Sequence, residues 1–335
     1  MHVLVTGGTG FIGKRLVSKL IKDGDDVVVT ARESEGLPDS VRFVKADIRK
    51  KAELENAFKN IDVVYHLAVC LDESSTDMRD INVGGTKNVV DLCKKFRVKQ
   101  LVFMSSSGVL GETKDPSKEN FPYNPKTEYE RSKMEAEMII KNSGVNYTIL
   151  RTTIVIGPNP IWAAIFEAAR KQYPVIGSGK NYFHLVYVED IVSALLLVKL
   201  NKKSFGQIFH IASEDTPTYE EVYRIISDEL NVGMTEKHVP VWLAILGSRL
   251  YELKCRITVK KPKVTKMRQS IYRLIRNRII STEKARKVLN FQPAFDTKTA
   301  VKETIKYLKI SRLGYSDYDI ADISRIKEYR QLKSD

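Results

Sequence analysis

Three glycines at three-residue spacing follow directly after the first apolar run of the chain. Residues 2–5 read His-Val-Leu-Val, residues 6–13 read Thr-Gly-Gly-Thr-Gly-Phe-Ile-Gly, and an amphipathic stretch follows at 14–22. A strand that turns through glycines into a helix points backbone N–H groups and the positive end of the helix dipole at one place. A dinucleotide pyrophosphate binds such a turn, because only a backbone without side chains permits its close approach. The run therefore predicts a dinucleotide-binding turn.

The alternation of short β-branched runs with helical patterns predicts an α/β fold, a doubly wound parallel sheet of the Rossmann type. Strands are expected at 3–6, 26–31, 41–45, 63–67, 100–105 and 147–150, with helices at 11–22, 50–59, 78–96 and 128–142. Further helices are expected near 161–171, 188–200 and 218–230. We therefore expect a dinucleotide-binding domain over 1–150, to which some later segments return. A smaller substrate-binding lobe is expected over 151–310 and a polar tail over 311–335.

The overall composition is that of an ordinary globular protein, with 43% hydrophobic and 29% charged residues. The first apolar run begins at residue 2, which leaves no room for a signal peptide, and the longest run, near 191–198, is too short to span a bilayer. Cys70, Cys93 and Cys255 have neither paired nor metal-like spacing. We expect a cytoplasmic protein without a structural disulfide or a metal site.

The net charge of +14 is concentrated in one late segment. Between residues 249 and 287, fourteen Lys and Arg are opposed by two glutamates, and an apolar, helix-like stretch at 239–253 runs into this segment. Two interpretations stay open: a cap of the substrate lobe with solvated lysines, or peripheral contact of 239–287 with an anionic membrane or with a phosphorylated or lipid-like substrate. No aromatic-basic RNA motif accompanies the charge, so we do not expect nucleic acid as a partner.

A tyrosine and a lysine four residues apart form the candidate catalytic pair. Thr127 and Glu130 form a capping box that places Tyr129 in the first turn of a helix, so Tyr129 and Lys133 project from one face. A phenol with a pKa of about 10 is a poor acid–base catalyst at neutral pH, and a neighbouring ammonium lowers that pKa by stabilising the phenolate. Upstream, a predicted strand ends in the serines 105–107, which supply a hydroxyl at its carboxyl end.

Together these motifs make the chain resemble the extended short-chain dehydrogenase/reductase family, also called the NAD-dependent epimerase/dehydratase family, over about residues 1–310. The matching residues are Thr6 to Gly13, Asp47, Ile48, His66, Leu67, Ala68, Asn82, Val83, Gly85, Thr86, Ser106, Tyr129, Lys133, Arg151, Gly157, Pro158, Val188, Glu189 and Asp190. The resemblance implies that Tyr129 is the proton donor and acceptor and that Ser106 orients the substrate oxygen. It also implies that Lys133 binds the nicotinamide ribose and tunes Tyr129.

The resemblance also implies the positions of the other cofactor contacts. Asp47 and Ile48 are expected to border the adenine, and Ala68 the nicotinamide side. The full set of expected cofactor contacts is Gly7, Thr9, Gly10, Phe11, Ile12, Gly13, Arg32, Asp47, Ile48, Leu67, Ala68, Asn82, Tyr129 and Lys133. The predicted helices 78–96 and 128–142 are expected to form a homodimer through a four-helix contact, again by resemblance.

The run of three serines leaves a choice of catalytic hydroxyl. Ser106 is preferred because it stands five residues before Gly111, as the family's Ser or Thr does, while Ser105 and Ser107 remain alternatives. Sugar-nucleotide dehydratases of the family carry an Asp-Glu pair after the catalytic Thr. Here Ser107 and Gly108 follow Ser106, which argues against dehydration chemistry.

The end of the second predicted strand bears on the choice of cofactor. NAD-specific members usually carry an acidic residue there that binds the ribose 2′-hydroxyl, whereas this chain has Ala31 followed by Arg32. The planar guanidinium of Arg32 suits a 2′-phosphate, so NADP is the preferred cofactor. NAD stays open as the cofactor, because Glu33 is close enough in sequence to reach the ribose.

Substrate clues come from two apolar positions. Nucleotide-sugar epimerases often hold the diphosphate with an Asn and an Arg at positions that here are Ile154 and Phe183. This indicates a hydrophobic or uncharged carbonyl substrate and resembles the branch of 3β-hydroxysteroid dehydrogenases and dihydroflavonol reductases. Ser107, Ile154, Phe183 and His184 are the expected substrate contacts, although His184 and Tyr187 are equally compatible with structural packing.

These observations favour an NAD(P)-dependent oxidoreductase that interconverts a secondary alcohol and a ketone on a hydrophobic or non-nucleotide small molecule. One alternative is a nucleotide-sugar 4-epimerase, similar to UDP-glucose 4-epimerase, with tightly bound NAD. A second alternative is a non-catalytic NAD(P)-binding scaffold, against which the intact Ser106, Tyr129 and Lys133 argue.

Overall fold

A computed structural model of the chain describes residues 1–258 and 266–308. The chain divides into two units. The first unit comprises Met1–Thr153, Val188–Ala212 and Ile280–Pro293, and the second comprises Ile154–Tyr187, Ser213–Ile279 and the chain from Ala294. The first unit thus includes two later segments of the chain besides its N-terminal part. The predicted tail, 311–335, lies outside the described residues.

The elements alternate along the chain as the sequence predicts. The strands are β1 (His2–Thr6), β2 (Asp26–Ala31), β3 (Arg42–Lys45), β4 (Val63–His66), β5 (Gln100–Ser106), β6 (Tyr147–Thr152), β7 (Ile154–Ile156), β8 (Val175–Ile176), β9 (Leu185–Tyr187), β10 (Gln207–Ile211) and β11 (His238–Val239). The helices are α1 (Phe11–Lys22), α2 (Lys51–Leu54), α3 (Gly85–Lys95), α4 (Glu128–Lys141), α5 (Pro160–Arg170), α6 (Val188–Leu197), α7 (Tyr219–Glu229), α8 (Val241–Thr258), α9 (Lys266–Ile275), α10 (Glu283–Leu289) and α11 (Thr297–Leu308).

The first unit is built on a seven-stranded sheet in the order β10-β6-β5-β4-β1-β2-β3. All its strand pairs are parallel. Strands such as β1 read as continuous apolar runs because both faces are covered, and Val3, Leu4 and Val5 are fully buried. The strand order reverses direction between β1 and β4, and ligands of doubly wound folds bind outside the carboxyl ends of the strands at such a point.

The six predicted strands are confirmed to within two residues at each end, and β10 is an additional strand that the pattern did not predict. The helix predicted over 50–59 is wrong in its length. It ends at Leu54, and a 3₁₀ turn at Glu55–Ala57 follows. The tighter turn precedes the fully buried Phe58, and Asn60 then takes a left-handed conformation that redirects the chain.

The second unit contains two short parallel strand pairs, β7 with β9 and β8 with β11. Helices α5, α7 and α11 pack against one another beside the first of these pairs. The buried aromatic pair Trp162 and Phe166 on α5 contributes to their shared interior. Among residues 1–258 and 266–308, no helix combines the length and the apolar character needed to cross a bilayer.

Candidate active site

The glycine turn after β1 leaves no room for side chains. Gly7 has a φ of +71°, and a Cβ there would lie 2.7 Å from the Ala68 nitrogen. A Cβ on Gly13 would lie 2.3 Å from the carbonyl oxygen of Gly7 and 2.7 Å from the Cα of Gly8. Both contacts are with backbone atoms, which cannot give way. The turn therefore depends on these glycines for its shape as well as for access to its N–H groups.

Two further glycines of the matching motifs, which were not among the expected cofactor contacts, have a packing role. A Cβ on Gly8 would lie 2.6 Å from the Val29 side chain, so this glycine lets the turn pack on β2. A Cβ on Gly85 would lie 2.8 Å from the side chain of Ile48, so α3 packs on the loop after β3. Both requirements arise between elements distant in sequence, which explains why the glycine spacing alone did not reveal them.

The first turn of α1 provides an anion-binding end. Gly10 is its N-cap in an extended conformation, and within the described chain no side chain caps this end or places an acidic group in the first turn. Thr9, Gly10, Phe11 and Ile12 are all at least partly exposed. Unsatisfied N–H groups at the positive end of a helix favour a phosphate group. The residues present thus fit the pyrophosphate of a dinucleotide.

Arg32 and Asp47 lie at the ends of neighbouring strands, β2 and β3. Hydrogen bonds from the Arg49 side chain lower the pKa of Asp47 below its ordinary value, and the nearby charge of Arg32 adds to this effect. Arg49 lies 2.6 Å from Asp47 and 2.9 Å from Asp77. Arg32, predicted for the ribose 2′-phosphate, and Asp47, predicted for the adenine, are therefore close together. Arg32 is exposed, and the Asp47 carboxylate is paired to Arg49.

The end of β4 is fixed to the glycine turn through Thr6. The Thr6 carbonyl accepts from the Leu67 nitrogen at 3.1 Å, and its hydroxyl oxygen accepts from the Ala68 nitrogen at 3.3 Å. The His66 ring nitrogens form hydrogen bonds with the hydroxyls of Thr6, at 2.8 Å, and Thr86, at 3.0 Å. Burial lowers the pKa of His66 to about 3. A neutral His66 therefore holds the cofactor-side segment Leu67–Ala68 in place.

Asn82 connects the loop after β4 to the candidate catalytic helix. Its amide nitrogen donates to the Cys70 carbonyl at 3.0 Å and to the Ser132 hydroxyl at 2.9 Å, and its oxygen accepts from the Cys70 nitrogen at 2.8 Å. Ser132 in turn donates to the Tyr129 carbonyl at 2.7 Å. The buried Asn82 is thus engaged with protein partners, and its predicted direct contact with the cofactor stays a prediction.

The helix that carries Tyr129 begins as the sequence predicts. The Thr127–Glu130 capping box is present in full, so Tyr129 lies in the first turn of α4. A Cβ on Gly108 would lie 2.9 Å from the Cγ atom of Glu130 and 3.2 Å from the Ser106 hydroxyl oxygen. Ser106, at the end of β5, is therefore close to the first turn of α4.

The three neighbouring serines differ in what they contact. Ser105 is buried and donates to the Glu137 carboxylate at 2.5 Å, which commits its hydroxyl to a structural bond. The Ser107 hydroxyl is buried, with no hydrogen-bond partner in the described part of the chain. Ser106 is half-buried, and its hydroxyl oxygen accepts from the Gly108 nitrogen at 3.1 Å. These contacts favour Ser106 as the hydroxyl offered to a ligand.

Lys133 is buried one helical turn after Tyr129. Its ammonium donates to the Met104 carbonyl at 2.7 Å and lies 4.5 Å from the centre of the Phe103 ring. Burial lowers the pKa of Lys133 to about 7, against an opposing contribution from the Glu137 charge. Burial therefore opposes the charged form of Lys133, and the Glu137 charge favours it.

Glu137 is the main residue at this site that the sequence interpretation missed. It lies one turn after Lys133, and its carboxylate accepts from Arg151 at 2.9 and 2.7 Å, from Ser105 and from the Tyr123 hydroxyl. Both partners of the Glu137–Arg151 ion pair are almost fully buried. This cluster ties α4 to β5 and β6. The signal in the sequence is an acid on the apolar face of a helix and a basic residue within an apolar strand.

The predicted substrate residues Ile154, Phe183 and His184 lie in the second unit. The Ile154 nitrogen donates to the His184 carbonyl at 3.3 Å, the first contact between β7 and the segment that leads into β9. Phe183 packs against Tyr219 with ring centres 5.4 Å apart, and the His184 ring bonds the Ser213 carbonyl at 2.9 Å. Phe183 and His184 are buried. These contacts are structural, and the substrate roles stay predictions.

A cavity of about 340 Å³ is lined entirely by residues of the second unit. Its lining includes Ile176, Lys180, Val241 and Ile275, and none of the predicted substrate residues. Across residues 1–258 and 266–308, no group of three or more His, Cys, Asp or Glu side chains is arranged to hold a metal ion.

The chain belongs to the NAD dependent epimerase/dehydratase family, whose profile matches residues 3–212. It is therefore an oxidoreductase or epimerase of the extended short-chain dehydrogenase type, in a family that uses NAD. The fold is shared with a solved UDP-glucose 4-epimerase from Thermotoga maritima, at a TM-score of 0.75 and 24% identity over 92% of this chain and 99% of that one.

Three curated relatives illustrate the range of reactions in the family. A putative UDP-glucose 4-epimerase from Methanocaldococcus jannaschii is 31% identical over 92% of this chain and 98% of its own. The N-acetyl-alpha-D-glucosaminyl-diphospho-ditrans,octacis-undecaprenol 4-epimerase of Escherichia coli O157:H7 is 27% identical over 80% and 84%. The human decarboxylating sterol-4-alpha-carboxylate 3-dehydrogenase is 29% identical over 90% and 87%.

Glu137→Gln tests whether the buried cluster holds the catalytic helix. The substitution leaves the Arg151 charge buried without a counter-charge, so we expect a loss of about 3–5 kcal/mol in the free energy of unfolding, measured by urea denaturation. The control is Glu135→Gln on the same helix, which breaks an exposed pair with Arg79 and should cost less than about 1 kcal/mol. Equal losses for the two variants would contradict the anchoring role of Glu137.

Gly13→Ala tests the cofactor turn. A methyl group at this position meets the backbone of Gly7 and Gly8, so the turn must open, and we expect NAD affinity to fall by at least about tenfold, or roughly 1.4 kcal/mol, in a calorimetric titration. Gly84→Ala is the matched control, because a Cβ there meets no atom within 4 Å. Unchanged NAD affinity in Gly13→Ala would rule out this turn as the pyrophosphate site.

Proposed function

We propose that this chain is an NAD(P)-dependent oxidoreductase that interconverts a secondary alcohol and a ketone, with Tyr129 as the acid–base residue. The observation that carries the proposal is the packing of α4 on β5. Lys133 follows Tyr129 by one turn and is held on the Met104 carbonyl at 2.7 Å, while Ser106 ends the same strand beside the first turn of α4. A phenol, an ammonium and a hydroxyl at one sheet edge are the groups that this reaction requires.

A bound nicotinamide supplies the hydride acceptor in one direction and the hydride donor in the other. During oxidation the Tyr129 phenolate would accept the hydroxyl proton of the substrate. During reduction Tyr129 returns the proton to the carbonyl oxygen. Ser106 donates a hydrogen bond that orients this oxygen, and Lys133 supplies the positive charge that stabilises the phenolate.

A hydrophobic or non-nucleotide substrate is the second part of the proposal. Ile154 and Phe183 are apolar at the two positions where nucleotide-sugar epimerases often carry diphosphate ligands. One of the relatives supports this class, because the human enzyme is named as a dehydrogenase of a sterol.

A nucleotide-sugar 4-epimerase is the alternative function, favoured by the 31% identical relative from Methanocaldococcus jannaschii. Such an enzyme uses the same three residues with a retained oxidised cofactor and no net redox change. Purified protein distinguishes the two in a panel of a 3β-hydroxysterol, an undecaprenol-linked N-acetylglucosamine and UDP-glucose. We expect a hydrophobic alcohol to reduce added NADP. A 4-epimer formed from UDP-glucose without net reduction of the cofactor would establish the epimerase instead.

NADP as the preferred cofactor is also part of the proposal. Arg32 is exposed at the end of β2, after Ala31 at the position where NAD-specific members carry an acid. Two further predictions from the sequence carry over unchanged: a homodimer formed through α3 and α4, and a cytoplasmic location.

Tyr129→Phe tests the acid–base assignment. The variant loses only the transferable proton, so turnover of the substrate found in the panel should disappear while cofactor affinity stays nearly unchanged. Lys133→Ala should reduce both, because one ammonium tunes the phenol and binds the ribose. Tyr307→Phe, an exposed tyrosine on α11, is the control and should match the wild type. More than a few per cent of residual activity in Tyr129→Phe would show the assignment to be wrong.

Arg32→Ala tests the choice of cofactor. Loss of a charge-assisted hydrogen bond to the 2′-phosphate should weaken NADP binding by about 1.5–3 kcal/mol and leave NAD binding nearly unchanged, as measured by calorimetric titration of both. Glu33→Ala is the companion variant and should affect neither cofactor. If the wild type prefers NAD and Glu33→Ala weakens NAD binding, Glu33 binds the ribose and Arg32 has no role in selecting NADP.

A further inference from the structure

Helix α8 exposes five large apolar side chains on one face. They are Trp242, Leu243, Leu246, Leu250 and Leu253. Trp242 is 66% exposed and Leu250 is 60% exposed. In a helix with 3.6 residues per turn these positions fall within an arc of about 100°. We refer to this set as the α8 face.

The α8 face differs from the other exposed apolar residues of the chain. Ile161, Leu197 and Tyr307 are also exposed but lie on separate helices, and single apolar residues at a surface are common. A contiguous apolar stripe is a different case, because monomeric proteins rarely expose such patches unless a partner covers them. We therefore expect a binding partner to cover the α8 face.

The charge of the same part of the chain indicates which occupant. Residues 249–279 contain eleven Lys and Arg and one acid, Glu252, and Arg249 on α8 itself is exposed. The predicted basic stretch extends to residue 287, of which 249–279 belong to the second unit and 280–287 to the first. There Lys284 donates to the Ile208 carbonyl at 2.8 Å. The basic segment that follows the α8 face in the sequence, and begins on α8 itself at Arg249, is 249–279.

We propose that the α8 face docks on the surface of an anionic lipid bilayer. The helix lies in the plane of the interface, with its apolar side chains at the boundary of the acyl chains and the exposed Arg249 on the anionic headgroups. An apolar stripe joined to a strongly basic segment is the pattern of interfacial helices. This interaction is independent of the reaction proposed for Tyr129.

Charge argues against the other occupants. A second copy of the chain placed on the same face would bring two strongly basic segments together, and their repulsion opposes association. The segment 309–335 contains six Lys and Arg and five Asp and Glu, so it offers no net negative charge to complement 249–279. An anionic lipid surface supplies both the apolar phase and the opposite charge.

Vesicle flotation of the full-length protein is the first test. We expect binding to phosphatidylcholine vesicles containing about a third phosphatidylglycerol to exceed binding to pure phosphatidylcholine by at least tenfold, since each basic residue near an anionic surface contributes about 1 kcal/mol. Binding should fall as salt shortens the Debye length from about 10 Å at 0.1 M to about 3 Å at 1 M. No binding to the anionic vesicles at 0.1 M salt would overturn the proposal.

A pair of variants locates the docking surface. Leu246→Asp combined with Leu250→Asp should reduce vesicle binding at least tenfold, with the melting temperature and NAD binding unchanged, because both side chains are exposed. Leu197→Asp, at an exposed leucine of α6 in the first unit, is the matched control and should bind as the wild type does. Wild-type binding by the double variant would assign the interaction to another surface and overturn the proposal.

Tryptophan fluorescence reports on the α8 face directly. The chain has two tryptophans, and Trp162 is buried with its indole nitrogen donating to the Val155 carbonyl at 2.8 Å. Anionic vesicles should therefore shift the emission of Trp242 to shorter wavelength, and Trp242→Phe should remove this shift. Emission from Trp242 that is already blue-shifted without vesicles and is unchanged by them would show that the segment 309–335 or a second copy covers the face, which would refute membrane docking.

Discussion

The buried ion pair between Glu137 and Arg151 is the interaction on which the candidate active site depends. Two charges can be buried here because they pair with each other: the Arg151 guanidinium donates to the Glu137 carboxylate at 2.9 and 2.7 Å. The hydroxyls of Ser105 and Tyr123 also donate to this carboxylate. The pair fixes both the rotation and the axial position of α4 against β5 and β6. Tyr129 and Lys133 lie on the same helix, so their place at the sheet edge follows from this contact.

The carboxyl edge of the sheet brings together groups that are far apart in the sequence. The glycine turn, Arg32, the loop at Asp47, Ala68 and Ser106 follow five strands that are parallel neighbours in the sheet. Hydrogen bonds from His66 and Asn82 hold the intervening loops, and both side chains are buried. The fold thus positions the candidate dinucleotide-binding turn and Tyr129, the proposed acid–base residue, at one edge of the sheet, from elements that each have a recognisable local pattern.

Much of this arrangement was predictable because its causes are local. Apolar runs and β-branched residues located six strands, and the Thr127–Glu130 capping box located the first turn of α4. The apolar, helix-like stretch predicted at 239–253 likewise coincides with most of α8.

What sequence reasoning missed depends on contacts between distant elements. The motifs contained Gly8 and Gly85 but not the reason for them, which is the Val29 side chain on β2 for Gly8 and the Ile48 side chain after β3 for Gly85. The role of Glu137 exists only once Arg151 on β6 is placed opposite it. The basic stretch is also divided near residue 280, because its two parts belong to different units. Counting charges along the sequence does not show this division.

A crystal structure of the chain with NAD bound tests the central claim most directly, because it measures where the ribose lies relative to Lys133. The account predicts a pyrophosphate against the backbone N–H groups of the first turn of α1. It also predicts a nicotinamide ribose within about 3 Å of the Lys133 ammonium, a normal hydrogen-bond length. A dinucleotide bound elsewhere, with Lys133 bonded only to the Met104 carbonyl as in the present structure, would contradict it.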